Sequence, residues 1–155
     1  MNVLLSIKPK FVERIFNGEK KYEYRKVLFA NEHVKKIFVY ASKPVKKIVG
    51  RIEMDEVLCE APSVLWNLTA DHAGISRDFF FEYFSGRSTA FAIKIKAAER
   101  YNEPLDPYDM IVGFKAPQSF MYLENSKLLN KLMHRTLCVH NARNKAGDHV
   151  LMPKY

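Results

Sequence analysis

The run Gly18-Glu19-Lys20-Lys21-Tyr22-Glu23-Tyr24-Arg25 lies where a helical pattern stops and an alternating one starts. Written as a strand from Lys21 to Lys26, it puts Tyr22 and Tyr24 on one face and Lys21, Glu23 and Arg25 on the other. Side chains two residues apart on a strand are about 6.5–7 Å apart, so Glu23 and Arg25 can touch each other and a shared ligand. Lys20 falls on the tyrosine face under strict alternation. It joins Glu23 only if it still belongs to the turn after Gly18. Two readings follow: a charged edge strand facing water, or a strand whose Glu23 and Arg25 meet each other and a common ligand. Within the second, a Glu23–Arg25 ion pair that merely holds the strand is the simpler alternative to a ligand site.

Upstream of this run, Asn2 to Ile7 reads as a first strand, with Val3, Leu5 and Ile7 on one face and Leu4 and Ser6 on the other. Pro9 suits a first helical turn, where its missing N–H costs nothing. Phe11, Val12, Ile15 and Phe16 then recur at helical spacing, and Asn17-Gly18 supplies a left-handed stop. Downstream, Lys35 to Ser42 alternates Ile37, Val39 and Ala41 against Phe38 and Tyr40. Val45 to Leu58 pairs with it as a long strand bulged at Gly50, with Ile48, Gly50, Ile52 and Met54 on one face. Ala61 to Thr69 and Ser76 to Ser85 are helices around an Asp71-His72-Ala73-Gly74 turn, their aromatic residues assigned to core packing. Thr89 to Ala98 is a strand, Asn102 to Pro107 a Pro-rich loop, and Pro117 to Tyr122 a last strand. Mixed strands with peripheral helices make the fold class α+β, a curved sheet closing into a β-barrel.

Beyond Leu123 the composition shifts. Residues 1–123 read as one domain and 124–155 as a C-terminal extension, a helix carrying Leu128, Leu129, Leu132 and Met133 followed by a basic tail. The helix is a candidate dock for a protein partner. His134, Cys138, His140 and His149 match no usual zinc spacing, so no metal and no cofactor is expected.

At 155 residues and 48% apolar the chain suits one globular domain rather than a disordered one. Twenty-five Lys+Arg against seventeen Asp+Glu give a net +8, which favours a polyanionic partner. Two cysteines are too few for a disulfide framework, and no apolar run approaches the roughly 20 residues of a membrane helix. No signal peptide is expected, since Lys8 and Pro9 cut the opening apolar run short. The expected setting is the cytoplasm, with no membrane partner.

Gly18-x-Lys20-x-x-Glu23-x-Arg25 resembles the GxKxxExR signature of the ASCH domain family, a branch of the PUA-like superfamily. Ser6-Ile7-Lys8-Pro9, Tyr40-Ala41-Ser42-x-Pro44, Gly74-Ile75-Ser76 with Phe79-Phe80 and Tyr83-Phe84, and Pro117-Gln118-Ser119-Phe120 fit the same register, over about residues 1–123. The resemblance implies a small PUA-like β-barrel with a cleft lined by the motif, and RNA-related roles that include regulating transcription or translation. It makes Lys20, Glu23 and Arg25 the centre of a site, with Ser6, Lys8, Tyr40, Ser42, Gln118 and Ser119 as its walls. Arg25 would offer a fork to a phosphate or carbonyl, Lys20 a mobile charge, and Glu23 an acceptor. Surrounding lysines (Lys8, Lys10, Lys21, Lys26, Lys35, Lys36, Lys46 and Lys47) would attract phosphates, and Tyr22, Tyr24 or Tyr40 would stack on a base.

The leading expectation is therefore an RNA- or nucleotide-binding domain. Its rival is a small hydrolase, since relatives in that family hydrolyse the acyl group of N4-acetylcytidine with a lysine, a threonine and a glutamate. Lys20 would match that lysine, but Glu23 stands where the nucleophilic threonine is expected, and a carboxylate cannot replace a hydroxyl nucleophile. Lys20 and Glu23 are then the catalytic candidates, Glu23 as a base toward water or Lys20 with a lowered pKa, for a modified nucleoside or for RNA cleavage.

Overall fold

Alternation written into Val3-Leu4-Leu5 and Ile37-Phe38-Val39-Tyr40 buries both faces of the two central strands, so the sheet they belong to must be covered on each side. In the computed structural model, which describes residues 1–124 and 126–134, that sheet has six strands in the order β2-β5-β4-β3-β1-β6. These are β1 (Asn2–Ile7), β2 (Tyr22–Arg25), β3 (Lys36–Ala41), β4 (Lys47–Glu60), β5 (Ala90–Leu105) and β6 (Phe120–Tyr122). The helices are α1 (Pro9–Phe16), α2 (Pro62–Thr69), α3 (Arg77–Tyr83) and α4 (Pro107–Met110), with residues 127–134 forming α5. β1 runs parallel to β3, and the remaining pairs are antiparallel.

One face of β1 and β3 (Val3, Leu5, Ile7, Ile37, Val39, Ala41) meets Val12 and Ile15 of α1. The other face (Leu4, Phe38, Tyr40) meets Leu105, Met110, Leu123, Leu128 and Leu132. A third cluster packs Leu65 of α2 with Phe80 and Phe84 against Tyr24, Ala90 and Ala92. Ser76 caps α3, its side chain accepting from the Phe79 N–H at 3.1 Å. Pro9 opens α1, and Gly18, at φ +86°, turns the chain from α1 toward β2.

The sheet curls. β2 and β6 are its opposite edges, yet Arg25 of β2 reaches backbone oxygens of Ser6 and Ser119 beside the other edge. Among the described residues no strand ladder joins the two edges, so the architecture is an open half-barrel seamed by a side chain rather than a closed barrel.

Three expectations change. Ile48 and Ile52 do not share a face, because Val39 pairs with Gly50 while Tyr40 pairs with Ile48, leaving Val49 as the bulged residue. Ile48 therefore joins the Phe38 cluster and Ile52 the Ile37 cluster. Gly50 is required by close approach, since a Cβ there would sit 2.3 Å from the Glu99 carbonyl oxygen. The Pro-rich segment is not a loop: β5 runs through Pro104 to Leu105. Between Arg100, opposite Gly50, and Leu105, opposite Ile48, the ladder is interrupted, so no sheet hydrogen bond is asked of Pro104. The last strand is shorter than expected, beginning at Phe120.

Leu128 and Leu132 of α5 are buried against the protein's own sheet, so the apolar face considered for a partner is covered from within the chain. Cys138, His140 and His149 lie outside the described residues. Among the described residues no group of three or more His, Cys, Asp or Glu could hold a metal ion, and no helix is long and apolar enough to cross a membrane.

Candidate functional site

Lys20 reaches Glu23 because regular pairing does not start until Tyr22. The Lys20 N–H donates to the Arg14 carbonyl at 2.8 Å and the Lys21 N–H to that of His72 at 3.0 Å, which holds the turn between α1 and the 3-10 turn Ala70–His72. Arg14 Nη1 donates to the Gly74 carbonyl at 2.7 Å and clamps the same segment. Gly74, at φ +66°, lies flat on the lysine stem, for a Cβ there would fall 2.4 Å from Lys20 Cβ. Lys21 points to solvent and takes no part in the cleft.

The result is a buried charged floor. Lys20 is 3% and Glu23 5% exposed. Lys20 Nζ stands 3.5 Å from Glu23 Oε2, and Arg25 Nη1 stands 3.4 Å from Glu23 Oε1. Lys20 Nζ also donates to the carbonyls of Tyr22 and, at 3.5 Å, Ala73, and lies 4.5 Å from the centre of the Tyr24 ring. Burial pushes the Lys20 ammonium below the usual lysine range. Glu23 pulls it back, while Arg14 and Arg25 push further down. Burial likewise raises the Tyr24 phenol to about 12.

Above this floor opens a cleft of about 390 Å³. Eight of the nine expected site residues line it: Ser6, Lys8, Lys20, Glu23, Arg25, Tyr40, Ser42 and Gln118. Ser119 sits behind Arg25, accepting from Nη2 at its Oγ (2.7 Å) and its carbonyl (3.2 Å). Ser6 Oγ donates to the Pro117 carbonyl at 2.6 Å, and the Ser6 N–H to that of Ser119 at 2.9 Å. These bonds fasten the 117–119 segment to the end of β1.

The geometry reassigns several roles. Arg25 is not an open fork, since both terminal nitrogens are engaged within the chain. Tyr24 is no stacking platform. It is 5% exposed, meets Phe80 and Phe84 edge-on, and donates its O–H to Thr69 Oγ1 at 2.7 Å. Tyr40 is buried, with its hydroxyl 3.1 Å from that of Tyr108, and Tyr22 packs against the α2–α3 cluster. The aromatic wall is instead Phe11, Phe79 and Tyr83. Phe79 and Tyr83 are one helical turn apart on α3 with nearly parallel rings (7°, centroids 6.5 Å). Their i, i+4 spacing was visible in sequence, but the same spacing serves a core stripe, and Phe80 and Phe84 do occupy the core.

Tyr108, Lys43 and Lys46 also line the cleft. Lys46 Nζ lies 4.7 Å from the Tyr108 ring centre. No pattern announced Tyr108, which follows Pro107 in α4 and comes to the cleft with its hydroxyl beside that of Tyr40. Of the surrounding lysines, Lys8 and Lys46 reach the cleft, while Lys10 and Lys26 lie over the rings of Phe79 (5.0 Å) and Tyr83 (4.7 Å). Lys35 and Lys36 stand on the far side, near Glu53.

A family model described as a domain of unknown function (DUF365) matches residues 1–115. Large ribosomal subunit protein uL22 of Ureaplasma parvum serovar 3 is 30% identical over 125 residues, 79% of this chain but only 39% of that protein, so the chain spans well under half of this relative. An ASCH domain-containing ribonuclease of Zymomonas mobilis is 26% identical over 136 residues, 82% of this chain and 89% of that one. The crystal structure of ASCH from Zymomonas mobilis is similar with a TM-score of 0.78 at 24% identity, over 86% of this chain and 94% of the other. The chain therefore belongs to the family described as a domain of unknown function, DUF365, and it is built on the fold of the ASCH domain proteins.

Proposed function

We propose that the cleft binds single-stranded RNA, seating one unpaired nucleotide against Phe79 and Tyr83 with its backbone along the lysines of the rim. The observation that carries this reading is the shape and lining of the cleft. It is about 390 Å³, with an aromatic wall, a buried charged floor and Lys8, Lys43 and Lys46 at its mouth. That volume falls at the low end of ligand pockets, enough for a small planar guest and its phosphate. Sequence-selective RNA recognition works largely on such splayed bases, held by stacking and by hydrogen bonds to their edges. The net charge of +8 supplies the sequence-independent attraction to phosphate. The relative named as an ASCH domain-containing ribonuclease supports the substrate class.

Fluorescence anisotropy with a single-stranded RNA and a duplex of equal length tests the reading. The single strand should bind more tightly, with affinity falling as salt rises. The pair Lys8→Glu and Lys46→Glu should flatten that slope by about one to two counterions. Equal binding of duplex and single strand, or an unchanged slope in the double variant, refutes it.

Cleavage is the second reading, favoured by the ribonuclease relative and by Lys20, whose lowered pKa suits proton transfer from a ribose hydroxyl. End-labelled RNA incubated with the protein and with Lys20→Gln distinguishes the two. Intact RNA with both leaves a binding domain.

A further inference from the structure

The hydrogen bonds within the floor decide which of its charged groups is left to meet a ligand. An ammonium has three N–H donors. Those of Lys20 face the Tyr22 carbonyl, the Ala73 carbonyl at 3.5 Å and Glu23 Oε2 at 3.5 Å. The two terminal nitrogens of a guanidinium carry four. Those of Arg25 face the Ser6 carbonyl (3.0 Å), Glu23 Oε1 (3.4 Å), and the Ser119 carbonyl (3.2 Å) and Oγ (2.7 Å). Glu23 is the opposite case. Each of its oxygens has one cationic neighbour, at 3.4 and 3.5 Å, beyond the roughly 2.7–2.9 Å of a strong charge-assisted bond. A carboxylate offers about four accepting positions, so about half the capacity of Glu23 is unused. The floor holds two cations and one anion, yet most of its unused hydrogen-bonding capacity toward the cleft is the accepting capacity of Glu23, the Nε–H of Arg25 being the one further donor.

Resting on the RNA-binding reading above, we infer that Glu23 selects the nucleotide and that the base it selects is guanine. Two carboxylate oxygens accept two parallel N–H groups. Among the four RNA bases only guanine has two adjacent donors on its Watson–Crick edge, the ring N1–H and the exocyclic amino group. Adenine and cytosine set a ring lone pair beside their amino group, and uracil sets a carbonyl on each side of its N3–H. Each would aim an acceptor at an acceptor in a site shielded from water, where the mismatch is most costly. Stacking on Phe79 and Tyr83 holds the plane of any base and does not discriminate. Lys20 and Arg25 fix the orientation of the carboxylate from either side; they position the reader and do not read.

The test uses the full chain and uridine heptamers with one central G, A, C, U or inosine, ranked by anisotropy at fixed salt. Guanine should bind about tenfold or more tightly than the other bases, the scale of a bidentate base contact. Inosine, which keeps N1–H but lacks the amino group, should fall between guanine and uridine. Glu23→Gln replaces the double acceptor with one donor and one acceptor, a pair that the edge of every base can match, and should flatten the preference for guanine. Circular dichroism shows whether that variant folds; if it does not, the wild-type order of guanine, inosine and uridine decides alone. A flat ranking, or a guanine preference that survives Glu23→Gln, overturns the assignment while leaving RNA binding intact. Absence of salt-dependent binding to every oligonucleotide overturns both.

Discussion

Replacing Arg25 by lysine keeps the charge of the seam and removes its geometry. The guanidinium makes three hydrogen bonds that tie β2 to the Ser6 and Ser119 segments and a fourth to Glu23 within β2, and its side chain is 11% exposed. An ammonium is a single point that cannot span both segments. At least two bonds to a charged donor are lost, each with a net value of about 1.5–3 kcal/mol. Water entering at the seam recovers part of this, leaving a loss of about 2–4 kcal/mol. With a urea dependence of about 1–3 kcal/mol per molar for a domain of this size, the unfolding midpoint should fall by about 1–2 M. Trp66 fluorescence reports the transition, and amide exchange locates it. The Ser6 N–H and the β1–β6 ladder should exchange faster, while the β4–β5 ladder keeps its protection relative to global unfolding. A midpoint within about 0.3 M of the parent, with exchange at Ser6 unchanged, would show that the half-barrel does not depend on this stitch.

Gly50→Ala should destabilise by about 2–3 kcal/mol in the same urea assay, because its Cβ would stand 2.3 Å from the Glu99 carbonyl oxygen and 2.6 Å from Phe16 Cζ. Leu132→Ala should cost about 2–5 kcal/mol as a fully buried leucine, and a cost below about 0.5 kcal/mol would detach α5 from the domain. Alkaline titration should expose Tyr24. Its phenol titrates at about 12 in the folded protein against 10.0 for the ordinary group, so the unfolded chain loses its proton first. The stability Tyr24 contributes is complete below pH 10 and lost as pH rises through about 12, by about 2 kcal/mol. A phenolate absorbance titration with every tyrosine ionising near pH 10 would contradict that burial. Lys20 works in the other sense: its folded pKa lies below the unfolded value, so its own contribution to stability improves as pH rises between the two.

Much of the fold was legible because it is written in period-two alternation. Val3-Leu4-Leu5 and Ile37-Phe38-Val39-Tyr40 assigned their side chains to the correct clusters without any tertiary knowledge. Alternation misled at Val49, because a bulge changes the phase without changing the residues. Proline content misled in the same way at Pro104, where an interruption of the β4–β5 ladder removes the demand that normally excludes proline. The gathering of Ser6, Lys20, Glu23, Arg25, Tyr40 and Gln118 around one cleft was expected from the family resemblance, with Lys20 reached through the turn after Gly18. The roles of Arg25, Phe79, Tyr83 and Tyr108 were not.

By itself the sequence determined most of the element types, which residues share a face on the central strands, and an ammonium, a carboxylate and a guanidinium within one short turn-and-strand segment. These are local properties, set by backbone geometry over a few residues. Only the tertiary structure decided which of those charges still has hydrogen-bonding capacity for a guest. The partners that engage Lys20 and Arg25 include Ala73, Ser6 and Ser119, contributed by distant parts of the chain. A donor's availability depends on what folding brings to it, and no spacing within the motif contains that information.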